Sequence, residues 1–206
     1  MNQHPLRAWA LFGVLALAAC ASAPLHYYTL VAPDAGAPPT APVPDLSFEL
    51  LPVSVPAQVD QPQLVVRSGA QGMQLLNGER WIAPLADELR SALAADLARE
   101  LGSQNTTGLP DSRAPGLRIK LEVQQFDSWP GSYALLAGTW SVRVVHAKGR
   151  DAVPQALTCT SSVRVPVGAG YAALVQGHQR AVAMLAAKVA TVARALGGGQ
   201  AASCPA

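Results

Sequence analysis

Between Leu117 and Gln124 the chain alternates without a break. Leu117, Ile119, Leu121 and Val123 fall on one side, and Arg118, Lys120, Glu122 and Gln124 on the other. Period-two alternation of this kind is a strand with one wet face and one buried face. Something apolar has to cover the buried face, and two other segments are patterned to do so. Leu85, Leu89, Leu93, Leu97 and Leu101 recur at four-residue steps behind Pro84, with Gly102 as the stop. That is a helix with one apolar stripe, opened by a proline whose missing N–H costs nothing in a first turn. Tyr171 to Leu196 is a longer, Ala-rich helix, with Leu174, His178, Ala181, Leu185, Val189, Val192 and Leu196 near the helical period.

Shorter strand signals fill the remaining chain. His26 to Val31 is aromatic and β-branched, and Leu46, Phe48 and Leu50 alternate up to Pro52-Val53-Ser54-Val55-Pro56. Residues 63–67 and 73–76 read as a pair of strands about Gly69 and Gly72, and the alternation returns at Trp140, Val142 and Val144 and again from Cys159 to Val165. The order is β, β-β-β, α, β-β-β, α. It predicts an α+β fold, with an antiparallel sheet and both helices packed on one of its faces as a repeated β-β-β-α.

The amino terminus carries a different message. Arg7 precedes an uninterrupted apolar run from Ala8 to Ala19, followed by Cys20. The run is too short for a spanning helix, which needs about 20 residues, and has the form of an export signal. Leu17-Ala18-Ala19-Cys20 fits a bacterial lipobox, in which the cysteine thiol receives diacylglycerol. Several acyl chains then hold the protein, since each buried methylene contributes about 0.8 kcal/mol. Ala21 and Ser22 follow, without the Asp that retains lipoproteins at the inner membrane. The periplasmic face of the outer membrane is the expected location. Residues 1–19 are thus read as signal peptide. Residues 20–45 are read as lipid anchor, short strand and Pro-rich linker, and residues 46–206 as one domain.

With Cys20 acylated, Cys159 and Cys204 remain as an even pair in an oxidising compartment. The strand from Cys159 runs about 30 Å to a turn, and the last helix returns roughly 38 Å. The short Gly-rich tail then reaches back, so a Cys159–Cys204 disulfide is expected.

No sequence signal for catalysis emerges. Gly168-Ala169-Gly170-Tyr171-Ala172-Ala173 has the spacing of a dinucleotide loop, but no Asp or Glu follows Asp151 to bind a ribose. These glycines read as the tight start of the last helix. His178 lies on that helix's apolar stripe and reads as a core residue. No metal site, cofactor or catalytic residue is expected. A net charge of +2 with only 14% charged residues argues against nucleic acid as a partner. Arg164, Arg180, Lys188 and Arg194 give the last third a basic bias. Its plainest reading is a solvated face balanced by Asp87, Glu88, Asp96 and Glu100 on the first helix, the alternative being a surface for a partner or for anionic lipid.

Several segments together carry a resemblance. Cys20 is followed by Tyr27-Tyr28-Thr29-Leu30, then by Pro52 to Pro56, Asp60 to Arg67, and Arg80-Trp81-Ile82-Ala83-Pro84-Leu85. In this order they resemble the ABC-type transport auxiliary lipoprotein family. One departure is Ala83, where the resemblance leads one to expect an acid. The resemblance implies a non-enzymatic outer-membrane lipoprotein serving an intermembrane lipid or solvent transport system. Its implied partner is a periplasmic MCE-domain protein, and a homo-oligomer would suit a tubular one. Partner-binding candidates are Tyr27, Tyr28, Arg67, Arg80 and Trp81, with Leu135 and Leu136 in an apolar loop after Trp129-Pro130-Gly131. Arg67 and Arg80 have an alternative in pairing with Asp60 and Glu79, Trp81 in plugging the core, and the Leu135–Leu136 segment equally in a buried hairpin tip. The contrasting reading is a lipid carrier with its own apolar cavity.

Overall fold

The computed structural model describes residues 24–33, 47–103, 105–108, 116–145 and 155–206. The signal segment, Cys20 and residues 34–45 of the Pro-rich stretch lie outside the described residues. The strands are β1 (His26–Tyr28), β2 (Ser47–Leu50), β3 (Gln63–Arg67), β4 (Met73–Trp81), β5 (Gly116–Trp129), β6 (Tyr133–Val145) and β7 (Ala156–Pro166). The helices are α1 (Leu85–Leu101) and α2 (Tyr171–Gly197).

The α+β class and the order of elements are as the sequence predicts, but the single antiparallel sheet is not. There are two mixed sheets, one ordered β1-β4-β3 and the other β2-β5-β6-β7. β1 runs parallel to β4, with Tyr27 opposite Arg80 and Tyr28 opposite Trp81. β2 runs parallel to β5, with Phe48 opposite Leu117. Parallel partners need a long crossover, and the β3–β4 hairpin and α1 lie inside the one between β2 and β5. The two β-β-β-α halves are therefore paired differently and do not repeat one another.

The predicted alternation of β5 holds: Leu117, Ile119, Leu121 and Val123 are buried, while Arg118, Lys120 and Glu122 are exposed. α2 packs across β5, β6 and β7, and α1 packs against α2. Arg90 of α1 reaches the Leu50 carbonyl of β2 at 3.4 Å. Gly102 ends α1 in the left-handed region at φ 59°, where a side chain would be strained. Gly170, at φ 89°, starts α2 as the reading of the Gly168–Gly170 segment requires. The other face of the four-stranded sheet is polar, carrying Arg118 paired with Glu49 at 2.8 Å and the exposed Thr158, Thr160 and Ser162.

Gly138 of β6 sits where β5 bulges between Val123 and Gln125. A Cβ there would lie 2.5 Å from the Glu122 carbonyl oxygen and 3.1 Å from the Val123 Cα. Both are backbone atoms and cannot rotate away. Gly138→Ala is expected to lower stability by about 2 kcal/mol, the usual scale of overpacking, read as a lower urea midpoint.

Candidate partner and membrane surfaces

The parallel register of β1 and β4 brings Tyr27, Tyr28, Arg80 and Trp81 to one edge, but they face different ways. Trp81 is 5% exposed and meets Phe126 edge-on with ring centroids 6.1 Å apart. It is a core plug. Tyr28 is half-buried against the core. Burial first, and then the neighbouring Glu79 carboxylate, pushes its phenol up to about 12. Glu79 Oε1 meets His26 Nδ1 at 3.0 Å, and among the described residues Arg80 makes no ion pair with Glu79. Tyr27 is exposed, as is Ile82 just beyond Arg80.

Glu88 fixes where the chain leaves this edge. Although it lies in the first turn of α1, it is buried, and accepts hydrogen bonds from Thr29 Oγ1 at 2.8 Å and from the Leu30 amide at 2.7 Å. Gln179 of α2 donates to the Thr29 carbonyl at 3.0 Å. β1 is thereby locked to both helices. An acid in a first turn reads from sequence as a complement to the helix dipole, so no local signal marked this role.

Arg67 is also taken, by a partner the sequence did not suggest. Its Nε donates to both carboxylate oxygens of Asp127, at 2.8 and 2.7 Å. Its Nη1 donates to the Ala70 carbonyl. Tyr133 donates its hydroxyl to Asp127 Oδ2 at 2.9 Å, and the Arg164 guanidinium lies 3.7 Å over the Tyr133 ring. The Asp127 hydrogen bond and charge raise the Arg67 pKa, while burial, then Asp127, raises that of Tyr133. This cluster ties the three-stranded sheet to the four-stranded one. Pairing of Arg67 with Asp60 or Glu79 is thus replaced by pairing with Asp127.

Leu135 and Leu136 are not in a loop. Both belong to β6, because the strand begins at Tyr133. Leu136 points into the core at 1% exposure, and Leu135 is half-buried on the opposite face, across from Arg164 of β7. The apolar segment is explained by the core on one side alone.

Cys159 and Cys204 are joined by a disulfide, with Cα atoms 5.6 Å apart. The four basic residues of the last third each find an intramolecular partner. Arg194 pairs with Glu100 of α1 at 3.2 Å, and Lys188 meets the carbonyl oxygen of Ala206. Arg180 reaches the Pro166 carbonyl, and Arg164 stacks on Tyr133. Balance by the acidic helix holds for Arg194 only, since Glu88 and Asp96 are buried rather than solvated. Burial raises the Asp96 pKa, against the lowering effect of its ion pair with Arg99.

In the interior, His178 Nε2 lies 2.8 Å from Ser128 Oγ and its ring stacks on Phe126 at 3.9 Å. Its Nδ1 is buried with no hydrogen-bond partner among the described residues. A nucleophile pair needs its base oriented by a third group and open to substrate. Here the histidine is 1% exposed and the serine 3%, so the pair is a core hydrogen bond. Among the described residues no group of three or more His, Cys, Asp or Glu gathers into a metal site. No described helix is long and apolar enough to cross a membrane.

Solved structures share this fold. A crystal structure of an uncharacterized protein aligns with a TM-score of 0.62 at 19% identity, covering 82% of this chain and 98% of that one. A crystal structure of a Xanthomonas campestris protein aligns with a TM-score of 0.56 at 18% identity, covering 84% and 97%. No curated protein matches the chain. The model of a family described as the ABC-type transport auxiliary lipoprotein component matches residues 28–190, from the end of β1 through most of α2. The chain belongs to that family of transport auxiliary lipoproteins.

Proposed function

We propose that this lipoprotein is a non-enzymatic docking subunit of an MCE-type intermembrane lipid or solvent transport system. Acyl chains on Cys20 hold it to the periplasmic face of the outer membrane, and a periplasmic MCE-domain protein binds its exposed surface. The observation that carries this reading is the lock on β1. Cys20 precedes β1 by only a few residues, and Glu88 and Gln179 fix the end of that strand to both helices. An acylated cysteine so placed holds the domain close to the bilayer in a restricted orientation, as suits an anchor for a partner.

A lipid carrier would need an open groove between the helices and the sheet, of the order of 300–1,000 Å³. The side chains that would line it, including Leu89, Leu93, Leu97, Ile119, Val142 and Val189, are at most 1% exposed. That layer is closed to solvent, which favours docking over carriage. Of the seven partner-binding candidates, Tyr27, Tyr28, Arg80 and Leu135 keep accessible surface, while Trp81 and Leu136 are spent on the core and Arg67 is held by Asp127.

The test is mass spectrometry of the native lipoprotein, affinity-purified from detergent-extracted membranes, with Cys20→Ala as control. The expected result is an acylated amino terminus and a co-purifying MCE-domain protein without stoichiometric lipid. Bound phospholipid with no such partner would overturn docking in favour of carriage.

A further inference from the structure

Three of the seven exposed large apolar side chains among the described residues, Leu25, Tyr27 and Ile82, fall on the β1–β4 edge. Their exposures are 47%, 55% and 62%, and Ile82 is the most exposed of all seven. The register explains why they share one side. Tyr27 stands opposite Arg80, and period-two alternation puts Leu25 beside Tyr27 and Ile82 beside Arg80. Tyr28 and Trp81 turn the other way, toward the core. Arg80 makes no ion pair among the described residues; its Nε only approaches the Asn77 carbonyl at 3.4 Å. The patch is three apolar side chains around one uncompensated guanidinium.

The geometry points to the bilayer surface itself as the occupant of this patch. This rests on acylation of Cys20, and the chain length then decides the matter. Leu25 follows Cys20 by five residues, which span at most about 18 Å when fully extended. A domain of this size is roughly 30–40 Å across. The edge bearing Leu25 therefore stays within reach of the headgroups, whereas the far side of the domain does not. The lock on Thr29 and Leu30 prevents β1 from peeling away to lengthen the tether. The chemistry of the patch suits that place. Tyrosine sits at a membrane interface with its ring in the apolar zone and its hydroxyl wet. Isoleucine and leucine enter the acyl boundary, and a guanidinium pairs with lipid phosphate. With this edge on the membrane, the polar face of the β2-β5-β6-β7 sheet is left for a protein partner.

The experiment uses the full acylated chain reconstituted in phosphatidylethanolamine–phosphatidylglycerol vesicles. With Cys20 acylated and Cys159 bonded to Cys204, an introduced cysteine is the one free thiol and takes a nitrobenzoxadiazole label. Ile82→Cys and Tyr27→Cys report the patch, and Lys120→Cys reports the polar sheet face. Doxyl-labelled lipid is expected to quench the two patch labels about threefold more than the Lys120→Cys label, with a blue-shifted emission. Equal quenching in acylated protein would overturn the inference and leave the patch to a protein partner. An intact mass showing unmodified Cys20 would overturn the tether as well, and so separates failure of the anchor from failure of the patch.

Discussion

Replacing Cys204 by serine is expected to lower the stability of the domain by about 4 kcal/mol, the chain-entropy value for a cross-link closing a loop of this length. The bond spans a sequence separation of 45 residues, and the loop contains most of β7, the turn and all of α2. Freed from it, the unfolded chain gains all the conformations the loop forbids. The folded state loses little else, because Cys204 is exposed and serine leaves no cavity there. Cys159 would keep its place at 3% exposure, paired across the sheet with Trp140. Against a typical total stability of 5–15 kcal/mol, the loss moves the melting temperature down by about 10 °C. Equilibrium urea unfolding of Cys204→Ser and of the oxidised parent measures it. A difference below about 1 kcal/mol would mean that tail packing, not the bond, holds the end of α2.

What the sequence made legible was local. The leucines at four-residue steps placed α1, Gly102 stopped it, and the alternation after Leu117 found β5 with the correct face inward. The disulfide was legible too, because strand rise and helix rise are fixed lengths and the two cysteines had to meet or stay apart. Pairing between distant strands was not. β1 meets β4 and β2 meets β5 in parallel, and neither strand's own residues specify a partner far along the chain. The same limit hid the polar contacts. Arg67 has Asp60 nearby in sequence, yet it pairs with Asp127, sixty residues away. Glu88 looked like an ordinary first-turn acid until the chain end of β1 folded onto it. The segment around Leu135 reads equally as an interface loop or a buried hairpin tip, because Trp129-Pro130-Gly131 marks a turn without fixing its length. The turn is short, and Tyr133 already starts β6. Of the candidate surface, the family resemblance singles out Tyr27 and Arg80, whereas Ile82 and Leu25 join them only once the β1–β4 register is known.

The second large effect is a loss of stability in acid that belongs to one side chain. His178 is wholly buried, and desolvation lowers its pKa from 6.5 to about 3. Phe126 stacks on its ring and Ser128 meets Nε2, and among the described residues no carboxylate pairs with it. The unfolded chain takes up a proton as the pH falls below 6.5, while the folded chain keeps the ring neutral until near 3. The unfolded state therefore binds more protons throughout that window, so stability is complete above pH 6.5 and falls as the pH is lowered through it. The expected loss is about 2 kcal/mol between pH 7 and pH 5, and about 3 kcal/mol by pH 4. Asp96 works in the opposite sense. Its carboxyl pKa is raised by burial, so it adds stability as the pH falls, and because it does so alike in the parent and in a His178 variant, the difference between the two isolates the histidine. His178→Gln keeps an amide able to bond Ser128 but has nothing to titrate. It is expected to start less stable, having lost its stacking on Phe126, and to lack the decline that the parent shows from pH 7 to 5. If urea midpoints of parent and variant fall in parallel over that range, the decline originates elsewhere, and the Ser128–His178 pair holds its proton as readily folded as unfolded.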